Sequence, residues 1–417
     1  MNELNFIHMI TMQYWDVPSP DQYDSAWITF SNEEFDPVRG HELYGKQLAR
    51  AKFAEDLGYD AVAFNEHHQT PCGPADINVA AAHAVATTDE IGICLIGNPI
   101  PLHGNPLRVA ESVAMLDVFS GGRIMSGFVR GQGMEYISLR ADPSTSRERF
   151  REAHDLIVKA WTEPGPFEWV GEHYDIPYVN PWPRVYQKPH PPIWIPGQGS
   201  KETIEWCARM RYPFTMVFSP VSFTRINYQM YRDAAAQHGY EPDPEQLSFA
   251  ALVYVAETDE QAHEEAGPYA ERVMQSLYKF PLPYFTPPGY FSSKSLGGMI
   301  RGMEKFDIKP PGDLTFKHMV DQHIMVVGSP KTVAEQLKMF TDELGAGTFI
   351  GMPPVNLPEE LMDKHMRLLA EEVMPHFRPP GNQPYWKRGL PVPGTRSLLA
   401  GWEERQAAKD RGEPAVT

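Results

Sequence analysis

Eight short apolar runs alternate with eight stretches of helical periodicity along most of this 417-residue chain, and the alternation constrains the fold more than any other feature. Most of the runs are continuously apolar, as is typical of parallel strands that are covered on both faces. They span 4–11, 60–64, 91–97, 122–131, 192–197, 212–218, 247–256 and 347–352. This order predicts an α/β fold, a TIM-like (β/α)8 barrel, with a doubly wound sheet as the alternative.

Helical periodicity fills the intervals between these runs. The eight stretches are 42–57, 77–87, 106–119, 146–161, 201–209, 224–237, 259–277 and 329–344. Pro106 and Pro330 stand where a proline is tolerated in the first turn, and Asp259 and Ser329 are expected to cap or begin their helices.

Four segments fall outside the alternation: 12–39, 163–191, 278–325 and 376–417. Each is rich in proline, glycine and aromatic residues, so we expect loops with some short strands, including a packed β-hairpin within 163–191. The first and third follow the first and seventh strands, on the barrel face where active sites form. Without the four segments, the remaining length is close to the ~250 residues of a typical barrel. We therefore expect one domain over 1–375 and a C-terminal extension over 376–417.

Composition and charge exclude several classes of protein. With 37 basic and 54 acidic residues, the net charge of −17 argues against nucleic acid or an anionic membrane as the main partner. The sequence has no run of ~18 apolar residues and no evident secretory signal at its start. Three cysteines without CxxC spacing fit a reducing compartment. We therefore expect a cytoplasmic protein.

The second predicted strand ends in the NEHH sequence of 65–68, where barrels carry their chemistry. A carboxylate beside two imidazoles suits acid–base catalysis, and a structural hydrogen-bond cluster is an equally open interpretation. A metal site would need ligands on other strands, and the first strand offers only His8. We therefore expect no metal.

Two later strands end in residues that suit a phosphate group. The fourth runs into Arg130 and the glycines of RGQG at 130–133, and the fifth runs into PGQGSKET at 196–203, where a helix begins. Arginine binds phosphate bidentately, and a helix N-terminus attracts anions. Each motif alone could be a tight turn or a helix cap, but together they favour a phosphate-bearing cofactor. Asn98, after the third strand, either lines the same mouth or forms a turn.

Several stretches in order resemble the bacterial luciferase-like family of flavin-dependent monooxygenases. They are DAVAFNEHH at 60–68, NPLRVAESVAMLDVFSGGRIMSGFVRG at 105–131, HPPIWIPGQGS at 190–200 and VVGSPKTVAEQL at 326–337. The resemblance covers most of 4–375. It implies a barrel that takes FMN as reduced FMNH2, usually from a separate NAD(P)H:flavin reductase, in an enzyme that usually forms a homodimer. With O2 the reduced flavin would form a C4a-peroxyflavin that oxygenates a small organic substrate.

The resemblance also assigns roles by position. His67 would be the active-site histidine, with Glu66 beside it. The implied cofactor-binding residues are Arg130, Gly199, Ser200, Thr203, Cys94, Leu95 and Asn98. Of these, Arg130 would hold the FMN phosphate with help from Ser200 and Thr203, and Cys94-Leu95 matches the place where relatives hold a strained peptide against the flavin ring.

The chain departs from the luciferase catalytic subunit at two positions, with Val129 in place of a reactive cysteine and Gly199 in place of a glutamate. These differences argue against light emission and leave flavin chemistry intact. The 278–325 segment matches the family's mobile active-site loop in position. Aromatic residues and methionines in the insertions favour an apolar substrate. The alternatives are an F420-dependent dehydrogenase on the same barrel and a non-catalytic flavin-binding protein.

Overall fold

A computed structural model describes residues 3–378 and Arg411, and it contains a closed barrel of eight parallel strands. Nearly all of the expected C-terminal extension, 376–417, therefore lies outside the described residues. The strands are β1 (Asn5–Ile10), β2 (Ala61–Phe64), β3 (Gly92–Asn98), β4 (Ile124–Phe128), β5 (Phe167–Val170), β6 (Asp175–Val179), β7 (Ile193–Gly197), β8 (Phe214–Val217), β9 (Leu247–Val255), β10 (Met325–Gly328) and β11 (Thr348–Met352).

The barrel follows the order β11-β1-β2-β3-β4-β7-β8-β9 and closes where β9 pairs with β11. These are the eight strands that the sequence predicts, so the TIM-like (β/α)8 fold is confirmed and the open doubly wound sheet is wrong. The short strand β10 is additional. It pairs with Leu252–Val255 of β9, beyond the residues of β9 that pair with β8.

Helices surround the barrel. They are α1 (Pro37–Asp56), α2 (Ile77–Thr87), α3 (Leu107–Ser120), α4 (Gly133–Ser138), α5 (Ser146–Thr162), α6 (Lys201–Met210), α7 (Val221–Gln237), α8 (Asp259–Ser276), α9 (Leu282–Phe285), α10 (Ser293–Lys305), α11 (Phe316–Asp321), α12 (Pro330–Leu344) and α13 (Glu359–Leu368). The described helices include none that is long and apolar enough to cross a membrane.

Two features of the insertions differ from expectation. The 278–325 segment was expected to be loops with short strands, but most of it is helical, with α9, α10 and α11 inside it. Three glycines in α10 weaken its helical signal, because glycine is a poor helix former. The first helix begins at Pro37 rather than at position 42, since the Asp36 carboxylate accepts hydrogen bonds from the next two amides, those of Val38 and Arg39.

Other expectations agree with the structure or need small changes. The hairpin expected in 163–191 is confirmed as the antiparallel pair β5 and β6. Ser329 caps α12 through a hydrogen bond from the Thr332 amide, as expected. The helices α4 and α13 were not predicted. The helix α4 is only 6 residues long, and α13 follows the last strand.

A buried polar cluster lies between the barrel and helices α1 and α13. His8, Arg50 and His365 are all almost completely buried there. His365 accepts a hydrogen bond at Nδ1 from the Val255 amide at 3.0 Å. Burial lowers the pKa of His365 to about 3. Burial also lowers the pKa of His8, and the charge of Arg50 lowers it further.

This cluster makes folding stability sensitive to acid. A histidine whose pKa is lower in the folded state than in the unfolded chain contributes its full stability above about pH 6.5, and the contribution is lost as the pH falls toward the folded value. For His365 the loss between pH 7 and pH 5 is about 2 kcal/mol. We expect His365→Asn, which keeps an acceptor for the Val255 amide, to reduce the pH dependence of the unfolding free energy by that amount.

Denaturant unfolding at pH 7 and pH 5 measures this difference. His41→Asn, at an exposed position of α1, is the matched control and should retain the wild-type pH dependence. An equal pH dependence in His365→Asn and wild type would contradict the assignment.

Candidate active site

The polar sequence that follows β2 lies at the carboxyl end of the barrel, and it contributes a buried carboxylate. Oε1 of Glu66 accepts a hydrogen bond from Nε2 of His68 at 3.0 Å and lies 3.4 Å from Nε2 of His103. Its Oε2 accepts from the Ile77 amide at 2.9 Å. Glu66 therefore contacts His68 and His103, although its neighbour in the sequence is His67.

The charges in this cluster follow from the contacts. Burial alone would raise the pKa of Glu66, but the imidazoles of His103 and His68 and the Ile77 amide outweigh burial and hold the pKa at about 2. For His68, burial alone would lower the pKa, and the hydrogen bond to Glu66 overcomes that effect and raises it. Glu66 is thus an ionised carboxylate that favours a protonated His68.

His67 points to a different partner. Its Nδ1 lies 3.3 Å from Oε1 of Glu135, a fully buried residue of α4. The ring of Trp27, from the 12–39 insertion, packs edge-on against the imidazole with 4.7 Å between ring centroids. The imidazole of His67 is therefore held between a carboxylate from the segment after β4 and an indole from the first insertion.

Arg130 lies where β4 ends, as expected, and the third insertion covers it. Its Nη1 donates to Oγ of Ser146 at 3.2 Å and to the carbonyl of Tyr290 at 3.3 Å. The guanidinium also stacks on the Tyr290 ring, 4.2 Å from the centroid, and the Tyr290 hydroxyl donates to the carbonyl of Gly131 at 2.6 Å. The 278–325 segment thus closes over the Arg130 site.

The start of α6 contains the other residues expected to bind phosphate. Gly199 has a φ of +90°, and a Cβ there would lie 2.8 Å from the ring of Phe223, so the position requires glycine. Ser200 donates from Oγ to Oε2 of Glu202 at 3.1 Å, and the Thr203 amide donates to the carbonyl of Ser200 at 3.0 Å. The helix α6 therefore begins directly after this loop, and its first backbone amides lie at the carboxyl end of the barrel.

Arg147 connects these two motifs, and no pattern in the sequence singled it out. Its Nη1 lies 3.6 Å from Oε2 of Glu202 at the start of α6. Burial lowers the pKa of Arg147, and the charge of Arg130 lowers it further. The two arginines are linked through Ser146, which precedes Arg147 in the chain and accepts a hydrogen bond from Arg130. Arg130, Arg147 and the first turn of α6 thus form one cationic site of a kind that suits a phosphate.

Strand β3 corrects one assignment. The non-proline cis peptide bond lies between Ile96 and Gly97, not at Cys94-Leu95, which was expected to hold the unusual peptide. Gly97 permits the close packing here, because a Cβ would lie 2.9 Å from the backbone of Gly127 on β4. Cys94 and Leu95 themselves are fully buried in the barrel wall.

The residues around the mouth fit a flavin nucleotide. Asn98 is fully buried, and its Oδ1 accepts from Nδ2 of Asn78 at 2.9 Å. The Nδ2 of Asn98 and the Oγ of Ser126 are buried without a hydrogen-bond partner. Buried polar groups normally have partners, so such atoms at the end of β3 and within the neighbouring strand β4 suit the polar edge of a bound cofactor. Within residues 3–378, no group of three or more His, Cys, Asp or Glu side chains could hold a metal ion.

Several site residues were missed by sequence reasoning. Glu135 follows Gln132 at the spacing of a capping box, a signal that was available, and its Oε2 accepts from the Gln132 amide at 2.6 Å. His103 lies in the loop after β3 without a recognisable motif, and the structure places it beside Glu66. Trp27 and Tyr290 lie in insertions that have no regular pattern.

A family model and several known proteins match this chain. Residues 26–347 match the family model for luciferase-like monooxygenases, which covers more than half of the chain. The alkanal monooxygenase alpha chain of Photobacterium leiognathi is 24% identical over 348 residues, which span 82% of this chain and 96% of that protein.

Solved structures share the fold. The oxygenating constituent of 3,6-diketocamphane monooxygenase from Pseudomonas putida, a type II Baeyer–Villiger monooxygenase in complex with FMN, superposes with a TM-score of 0.66 and 19% identity, covering 91% of this chain and 100% of that one. An F420-dependent secondary alcohol dehydrogenase with an F420–acetone adduct superposes with a TM-score of 0.61 and 16% identity over 91% of this chain and 100% of that one. At these identities the superpositions establish the fold alone.

Proposed function

The chain belongs to the luciferase-like monooxygenase family, and from this premise we propose that it uses reduced FMN and O2 to oxygenate a small, apolar organic substrate. The observation that carries the proposal is the cationic site of Arg130, Arg147 and the first turn of α6, at the same barrel mouth as His67. A flavin nucleotide has a phosphate that the cationic site would bind and a reactive ring that would lie beside His67. In this proposal residues 1–375 act as one domain.

Each part of the mouth has a role in the proposal. Arg130 and Arg147, with Ser200 and Thr203, would hold the phosphate, while the unpartnered polar atoms of Asn98 and Ser126 would contact the flavin. When bound, reduced FMN supplies the electrons that activate O2. His67 would donate or accept a proton at the reacting atoms as general acid or base.

An apolar cluster at the mouth would exclude water from this chemistry. We define this mouth cluster as Tyr14, Val17, Ala26, Trp27, Leu43, Cys72, Met134 and Leu277. It joins the first insertion to the segments after β2 and β4 and to the end of α8. Phe280 and Phe285 from the third insertion pack against it. Such a lining favours an apolar substrate and protects a reactive oxygen species from solvent.

Oxidation of bound flavin tests the proposal. Protein mixed anaerobically with chemically reduced FMN and then exposed to O2 in stopped flow should restore the absorbance of oxidised flavin at least about tenfold more slowly than free FMNH2 does, because the enclosed site stabilises the reacting species. Free FMNH2 in the same buffer is the control. Reoxidation at the free rate would overturn the proposal, and binding of F420 in place of FMN would favour the dehydrogenase alternative.

The proposal includes two partners. A separate NAD(P)H:flavin reductase would supply reduced FMN, as the family resemblance implies. A homodimer is supported by exposed apolar side chains on adjacent helices, namely Val79 of α2 and Met115 and Phe119 of α3, which are 68%, 42% and 64% exposed.

A further inference from the structure

The carboxylate of Glu135 has the contacts of a group that orients its neighbours. Its residue is 1% exposed. One oxygen lies 3.3 Å from Nδ1 of His67 and accepts from the His68 amide at 3.2 Å, while the other accepts from the Gln132 amide at 2.6 Å. Both oxygens are therefore engaged, and the carboxylate joins the segment after β2 to the segment after β4.

We propose that Glu135 is a positioning residue for His67, an inference that rests on the proposed function. It accepts a hydrogen bond from Nδ1–H and so fixes the neutral imidazole in the Nδ1–H tautomer. Nε2 is then the atom that exchanges a proton with the reacting molecule. The hydrogen bond at one ring nitrogen determines the state of the other, as in other acid–base histidines.

The surroundings give the carboxylate a single orientation. The Gln132 amide fixes Oε2, and the His68 amide fixes Oε1 on the side that faces His67. On the imidazole, the edge-on Trp27 ring restricts rotation.

A purely structural role is the competing explanation, because Glu135 also caps the short helix α4. The two roles differ in the state of the His67 ring. We expect Glu135→Ala to remove the acceptor and shift His67 from the Nδ1–H tautomer toward the Nε2–H tautomer that a free histidine side chain favours. Nitrogen-15 NMR of the full-length protein with labelled histidine measures the tautomer, with the His67 signals assigned by their loss in His67→Gln.

Activity provides the second measurement. In Glu135→Ala, kcat should fall about 10- to 100-fold, the loss typical when a metal-bound histidine loses the partner that orients its ring in the same way. The dissociation constant of FMN should change less than about threefold, since the phosphate site is intact. Glu135→Gln, which keeps the side-chain volume, should show a smaller loss and guards against a folding defect.

The matched control is Glu55→Gln. Glu55, near the end of α1, also accepts hydrogen bonds from several backbone amides, those of Asp89, Glu90 and Ile91, but these amides precede β3 at the opposite end of the barrel. The Glu55→Gln variant should have the wild-type His67 tautomer and the wild-type kcat. An unchanged His67 tautomer in both Glu135 variants would overturn the inference, as would a shifted tautomer with wild-type kcat. Because the NMR measurement needs no flavin, failure of the monooxygenase proposal would be seen separately.

Discussion

Replacing His67 by alanine is expected to lower turnover by about 10²- to 10⁴-fold, the range by which a positioned acid or base accelerates a reaction. The imidazole is the ring that Glu135 and Trp27 hold at the barrel mouth. FMN should still bind, because the phosphate site lies on other elements. Steady-state oxygenation with a supplied reductase, together with fluorescence titration of FMN, measures both quantities.

The control for this variant is His83→Ala, which removes an exposed histidine from α2. It should turn over at the wild-type rate. Full activity in His67→Ala would remove this residue from the catalytic machinery. A loss of activity that came entirely from lost FMN binding would instead make His67 a cofactor-binding residue.

Replacing Arg130 by alanine is expected to weaken FMN binding by about 10²-fold. A charge-assisted hydrogen bond contributes about 1.5–3 kcal/mol, and each 1.4 kcal/mol is a factor of ten in affinity. Arg147 and the first turn of α6 remain in the variant, so binding should be weakened rather than abolished. Titration of the variant with FMN, followed by the quenching of flavin fluorescence, gives the dissociation constant.

Two further variants define the role of the guanidinium. Arg130→Lys keeps the charge but loses the bidentate geometry, so its affinity should lie between those of wild type and Arg130→Ala. Arg225→Ala removes an exposed arginine that pairs with Glu343 on the outside of the barrel, and it should bind FMN normally. Equal affinity in Arg130→Ala and Arg225→Ala would refute a phosphate contact.

The fold could be predicted from the sequence because its signal is local and repeated. Each buried parallel strand is a short apolar run, and each surrounding helix has its own periodicity, so eight alternations specify a barrel without knowledge of any contact. The third insertion, 278–325, shows the limit of this reasoning. Its helices contain glycine and proline and pack through particular side chains, and local propensity is a weak guide there.

The candidate site, like the fold, could be predicted only in part from the sequence. Sequence alone placed Glu66, His67, Arg130 and the segment 196–203 at strand ends, and the carboxyl ends of barrel strands share one face. It could not determine partners, because residues adjacent in the chain need not be adjacent in space. In the fold, Glu66 contacts His68 and His103. His67 instead contacts Glu135, which is 68 residues away in the chain.

What the sequence determined by itself is therefore the barrel and the end of it that carries polar chemistry. The tertiary structure decided that Glu135 contacts His67 and that Arg147 lies beside the start of α6, and it brought the Tyr290 ring over Arg130. The physical reason is the separation along the chain between the residues that interact. Strand and helix patterns arise from neighbours a few residues apart, whereas these contacts form only when the closed barrel brings distant loops to one mouth.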